Sequence, residues 1–188
     1  MRPALLLLAL LFSLFSSAGE APGFDQLLQE GGLRYTAPNG YSELPVEYAP
    51  FSYEKRLAHE EQQLEVRFSI RPLDRIEVDY EDPHNAAPHP NDLFDMLFRS
   101  VVEQLSDGPG SISRAYPSDK ADALFNAGWA AVAVMDIKPS ISSEYRQGLL
   151  LAMHRNDRAD AYVLVLTNEL AAHKPLIEAI HESLVFVD

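Results

Sequence analysis

Two runs in the C-terminal third, YRQGLLLAMH (145–154) and AYVLVLT (161–167), are apolar almost without a break, and a third, WAAVAVMDI (129–137), approaches that pattern. Runs of this length and composition read as strands. Continuity in place of alternation means that both faces are covered, so these strands belong in the middle of a sheet with helices on either side. Asn156-Asp157 between the last two supplies a hairpin turn. QLEVRFSIR (63–71) behaves differently. Leu64, Val66, Phe68 and Ile70 fall on one face and Glu65, Arg67, Ser69 and Arg71 on the other, which predicts a strand buried on one side and polar or wet on the other. With FSYEKRLAH (51–59) before it and His59-Glu60-Glu61-Gln62 between, the region from Tyr41 to Pro72 reads as β structure containing a hairpin.

Helical spacing appears in four places. FDQLLQE (24–30) is a short turn closed by Gly31-Gly32, and a strand over 33–37 follows, ending at the turn signal Pro38-Asn39-Gly40. A longer helix is capped by Asn91 or Asp92 and runs to Leu105, with Phe94, Leu97, Phe98, Val101 and Leu105 along one side and Leu93 and Val102 widening the stripe. A stripe that broad is expected against a sheet. It stops at Ser106-Asp107-Gly108-Pro109-Gly110. Residues 118–125 form another short helix with Ser118 as its cap, and a last one covers 174–183 with Pro175 in its first turn and Leu176, Ile177 and Ile180 inward. The chain ends in the apolar segment LVFV.

The opening MRPALLLLALLFSLFSSA has Arg2, an apolar run from Ala4 to Phe15, and small residues at Ser16 and Ala18. That is the layout of a cleaved secretory signal peptide over residues 1–18, too short to cross a bilayer, and it leaves residues 19–188 as one domain. An exported product, periplasmic or extracellular, is the expectation. No cysteine is present, which excludes disulfides, thiolate metal sites and thiol nucleophiles. The 188 residues carry 15 basic and 28 acidic side chains, net −13, and loss of Arg2 with the leader makes the product more acidic still. Such a field repels phosphate backbones and anionic headgroups, so neither nucleic acid nor a membrane surface is an expected partner; Arg67, Arg71 and Arg75 are only scattered cations.

The segment Tyr35-Thr36-Ala37-Pro38-Asn39-Gly40-Tyr41 has an aromatic-x-x-Pro-x-Gly-aromatic form, and the tail Ser183 to Val187 places Leu184 and Phe186 after a late apolar strand and a helix. In these features, and in the order of its elements, the chain resembles the PsbP-like and DcrB-like proteins. The resemblance implies an α+β fold: a central antiparallel sheet of six to seven strands with helices on both faces. It also implies a small exported or lumenal protein that binds or assists assembly, with no shared catalytic residues to carry over.

Candidate chemistry is sparse. DYEDPHNAAPHPND (79–92) crowds Asp79, Glu81, Asp82, His84, His89 and Asp92 into a proline-rich loop. Imidazole and carboxylate together suit a divalent metal, with His84, His89 and Asp82 as the ligand set, although the His-x-x-x-x-His spacing matches no established motif and a solvated surface loop is the plain alternative. His154 at a strand end stands within reach of Asp157 or Asp160 and is a candidate general base; a strand-end histidine beside a polar turn is its ordinary reading. Glu54, Glu60 and Glu61 are candidate paired carboxylates, against solvated hairpin charges. SISS (140–143) is no nucleophile elbow, and neither Gly31-Gly32 nor Gly108-Pro109-Gly110 is a phosphate-cradling loop. Trp129 is a ligand-stacking candidate or a core residue. No cofactor is expected. The leading expectation is a non-catalytic binding or assembly module for a protein or small-molecule ligand. A small hydrolase using His/carboxylate chemistry, or metal binding through the 79–92 loop, is the alternative.

Overall fold

The computed structural model describes residues 22–76 and 88–188. Residues 1–18, read above as a leader, and residues 19–21 after them lie outside the described residues. The fold is α+β. Seven strands form one antiparallel sheet in the order β2-β3-β4-β8-β7-β6-β5, comprising β2 (Tyr41–Leu44), β3 (Lys55–His59), β4 (Leu64–Pro72), β5 (Ile112–Ala115), β6 (Trp129–Asp136), β7 (Gln147–Arg155) and β8 (Ala159–Thr167). A separate ribbon pairs β1 (Leu33–Tyr35) with β9 (Leu184–Phe186). Thus the LVFV tail closes back on the first strand.

β8, the most continuous apolar run, lies at the centre and is buried along its whole length, with β7 beside it. Its two faces feed two cores. Val163 and Val165 join Leu57, Val66, Phe68, Leu151 and Met153 under helices α1 (Phe24–Glu30), α3 (Ser118–Phe125) and α4 (Lys174–His181). Leu164 and Leu166 join Leu150, Ala152, Ala133 and Met135 on the opposite face, under α2 (Phe94–Leu105) and the irregular segments around Phe51, Tyr53, Ile141 and Tyr145. Within β7 the one glycine, Gly148, answers to packing, since a Cβ there would collide with the Ile137 side chain.

Three expectations change and one strand is added. The polar face of β4 is not wet: Glu65, Arg67 and Ser69 are 2%, 5% and 1% exposed. Arg67 is held there by Glu65 (2.6 Å), by the Ile141 carbonyl (3.1 Å) and by the Tyr53 ring beneath its guanidinium (4.9 Å). Neutralised charge can be covered where lone charge cannot. The start of α2 is not capped by Asn91 or Asp92, which lie in a 3-10 turn (Pro90–Asp92) ahead of it. The Asn91 amide instead exchanges two hydrogen bonds with Asp157 at the β7–β8 turn (2.8 and 2.9 Å), pinning the head of α2 to the sheet's end. Ser118 is not a cap either: Pro117 occupies that position, and its carbonyl accepts from Lys120 and Ala121. β5, finally, is a strand that no hydrophobic pattern announced; all four residues are exposed.

α4 ends at His181, whose Nε2 is shut from solvent without a partner among the described residues. Burial pushes the ring down to about 4 from the ordinary 6.5, with Glu178 opposing in part. The unfolded chain therefore takes up this proton before the folded one does. The neutral ring's contribution is complete above pH 6.5 and is lost as the pH falls through 4, by roughly 3 kcal/mol in all. Denaturant midpoints at pH 7 and pH 4.5 check this, because His181→Gln should lose distinctly less over that interval than the parent chain. No described helix is long and apolar enough to cross a membrane.

Candidate functional site

A cleft of about 550 Å³ opens on the α2 side of the sheet. Its floor is a block of four residues set by the β4–β8 register, in which Ser69 lies opposite Tyr162 and Arg71 opposite Asp160. Phe51, Ser52 and Glu54 form one wall, Leu97, Val101 and Gln104 of α2 the other, and Arg75 and Ile76 the rim. Volume and a mainly apolar lining with a few polar groups are those of a small-molecule site.

The charges in this cleft are already matched. Arg71 pairs with Glu54 at 2.7 Å and donates to the carbonyls of Ile70 (2.8 Å) and Ser52 (2.9 Å), while the second Glu54 oxygen accepts from the Ile70 amide (2.9 Å). Arg75 makes a two-pronged pair with Glu30 at 2.5 and 2.8 Å. Hydrogen bonds from Arg75 and then Gln26 hold the Glu30 carboxyl down at about 2. Burial, and then the neighbouring Asp160, push the Tyr162 phenol well above its usual value, so it stays a neutral hydroxyl. Ser69 Oγ is shut from solvent and has no hydrogen-bond partner among the described residues.

Asp160 also faces the other way. His154 lies opposite it in the β7–β8 register, and Nδ1 meets Asp160 Oδ1 at 2.7 Å, while Nε2 meets Asn156 Oδ1 at 2.9 Å. Phe94 stacks on the imidazole (4.4 Å between centroids, 23° between planes), and Trp129 leans on Phe94 at 4.9 Å. His154 and Asp160 are 1% and 3% exposed. A second, more open depression of about 560 Å³ lies outside them, bordered by Phe94, Asn126, Trp129, His154 and Asn156. The pair thus separates two clefts. Among the described residues no hydroxyl side chain is hydrogen-bonded to His154, and both ring nitrogens are occupied.

Of the candidates read from the sequence, His154 and Asp160 are brought together, because the tight β7–β8 turn makes them register partners. Asp157 turns instead to Asn91. Asp79, Glu81, Asp82 and His84 lie outside the described residues, and the Nδ1 of His89 accepts from the Asn91 amide at 3.1 Å. No group of three or more His, Asp or Glu side chains converges to hold a metal among the described residues. The three hairpin glutamates stay apart in function. Glu54 serves Arg71, Glu60 accepts from the Ser42 hydroxyl (3.0 Å), and Glu61 donates its amide to His59 Nδ1 (3.1 Å). Trp129 is half-buried against Phe94 and Phe98 of α2. Ser69 and Tyr162 carry no sign in the sequence of the cleft they share, because strand neighbourhood alone unites them.

No family model matches the chain, and no curated protein matches it. Among solved structures, the solution structure of cyanobacterial PsbP (CyanoP) from Synechocystis sp. PCC 6803 is similar over 84% of this chain and 88% of that one, with a TM-score of 0.44 and 12% sequence identity. The α+β fold described above, a seven-stranded antiparallel sheet with helices on both faces, is of the class that the Tyr35–Tyr41 segment and the Ser183–Val187 tail implied.

Proposed function

We propose that this chain is an exported, non-catalytic binding module whose small-molecule ligand occupies the cleft beneath α2. The engagement of both His154 ring nitrogens, by Asp160 and Asn156, carries the reading. A general base needs a nitrogen directed at the proton it removes. This imidazole faces a carboxylate on one side and an amide on the other, with an aromatic ring against its face. It acts as a strut between β7, β8 and the head of α2. The adjoining cleft, by contrast, is preformed and apolar. Export rests on the leader pattern of residues 1–18, and the acidic balance speaks against nucleic acid as the partner.

The rival is a hydrolase using His154 and Asp160. Incubation with p-nitrophenyl butyrate separates the two. The binding reading expects release of p-nitrophenol no faster than in buffer, for the parent chain and for His154→Gln alike. Turnover that vanishes in His154→Gln, with the variant's circular dichroism intact, would establish the hydrolase instead.

A further inference from the structure

The apolar stripe of α2 is wider than the surface the sheet presents to it. Phe98, Val102 and Leu105 are buried, whereas Leu97 and Val101, one turn apart, are half-exposed and line the cleft. Two buried rings line the same cleft, Tyr162 beside Ser69 on the floor and Phe51 next to it, edge to face at 6.4 Å. The cleft is thus lined by apolar side chains from both the helix and the sheet.

The floor adds polarity of one kind. Ser69 is 1% exposed, lines the cleft, and its hydroxyl has no partner among the described residues. Buried hydroxyls in folded proteins nearly always have a partner, and an orphan beside a cavity calls for one from outside the chain. Asp160, 3% exposed, brings a carboxylate to the same floor, with its Oδ1 engaged by His154 Nδ1 at 2.7 Å. Among the described residues the cleft's cations are paired, Arg71 with Glu54 and Arg75 with Glu30. The field of a chain with net charge −13 acts in the same sense.

We infer that the cleft beneath α2 takes a compact apolar molecule bearing one N–H or O–H donor head and no anionic group. The head is recognised by the Ser69 hydroxyl and the Asp160 carboxylate, and the body lies against Leu97, Val101, Phe51 and Tyr162. This assignment rests on the binding reading above and names its ligand class.

The probe is 1-aminoanthracene, a flat three-ring amine whose fluorescence reports an apolar surrounding; 8-anilinonaphthalene-1-sulfonate, of similar bulk, carries the anion. The folded chain should bind the amine saturably, one to one, with a Kd on the order of 10 µM. The sulfonate should bind at least about tenfold more weakly, since it meets a carboxylate and cations already paired. Ser69→Ala should weaken the amine about five- to tenfold without lowering the melting temperature, because an unpartnered hydroxyl holds nothing in the empty fold. Val101→Trp, at a half-exposed position, should fill the space and abolish binding. Equal binding of both probes, each lost in Val101→Trp, overturns the head-group assignment and leaves the binding reading standing. Undiminished amine binding in Ser69→Ala overturns that assignment as well. Failure of both probes to give a saturable signal sensitive to Val101→Trp overturns the two together.

Discussion

Replacing Glu65 by alanine is expected to destabilise the fold by about 3–5 kcal/mol, the range observed when one partner of a buried ion pair is removed. Glu65 is the hub of its cluster: one oxygen accepts from Arg67 Nε at 2.6 Å and the other from Arg56 Nη2 at 2.8 Å. The two arginines differ in what they keep. Arg56 also reaches the exposed Glu47 at 2.9 Å, so it retains a counter-charge near solvent. Arg67, with its side chain 7% exposed, retains only the Ile141 carbonyl and the face of Tyr53. The cost of Glu65→Ala is therefore the cost of Arg67 left as a buried, uncompensated charge. Three variants order the effects. Arg67→Ala should cost less, because Glu65 keeps Arg56. Glu65→Ala combined with Arg67→Met should recover much of the loss, because an apolar side chain then fills the place of the charge. Urea midpoints at neutral pH give all three values. A double variant no more stable than Glu65→Ala alone would show that the carboxylate matters for its packing and not for its charge.

The same residues show how far alternation along a chain can be read. Periodicity reports the chemistry of each side chain and says nothing of what will lie over it. On β7 and β8 this was enough, since a strand apolar on both faces has to be covered on both, and β8 is the central strand. On β4 it was not enough. Glu65 and Arg67 satisfy each other, and the segments around Tyr53 and Ile141 then close over them. β5 was illegible for the converse reason, being four exposed residues held by pairing with β6 and by no pattern of their own. The helix starts went astray locally. Pro117 already has extended backbone (φ −55°, ψ 144°) and offers the first helical carbonyl, which leaves no capping position to Ser118. The histidine pair was legible because a tight turn at Asn156-Asp157 makes residues 154 and 160 neighbours by arithmetic. The cleft was not legible, because Ser69 meets Tyr162 only once β4 lies against β8, an adjacency between strands far apart in the chain.

Phe68→Ala is expected to be the most damaging apolar substitution, at about 3–5 kcal/mol for the emptied volume. Its ring is fully buried at the middle of β4 and meets Tyr35 at 5.4 Å and Phe24 at 6.0 Å, both nearer perpendicular than parallel, while those two rings meet each other at 5.3 Å. Edge-to-face contacts of this kind add about 0.5–1.5 kcal/mol each beyond burial. The three rings come from three elements, α1, β1 and β4, and Lys55 extends over two of them, 5.3 Å from Phe24 and 5.4 Å from Tyr35. Phe68 is thus where α1 and the β1–β9 ribbon are tied to the main sheet. Loss of its ring should release them before the sheet itself opens. Amide exchange distinguishes this from uniform weakening: in Phe68→Ala, protection of Leu33 to Tyr35 and Leu184 to Phe186 should fall by more than that of β7 and β8. Phe24→Ala removes a ring from the edge of the cluster, at 9% exposure, and should cost less while loosening the same elements. Equal loss of protection across ribbon and central strands would mean that the ribbon unfolds only with the sheet, and that the three rings are one part of a single cooperative core.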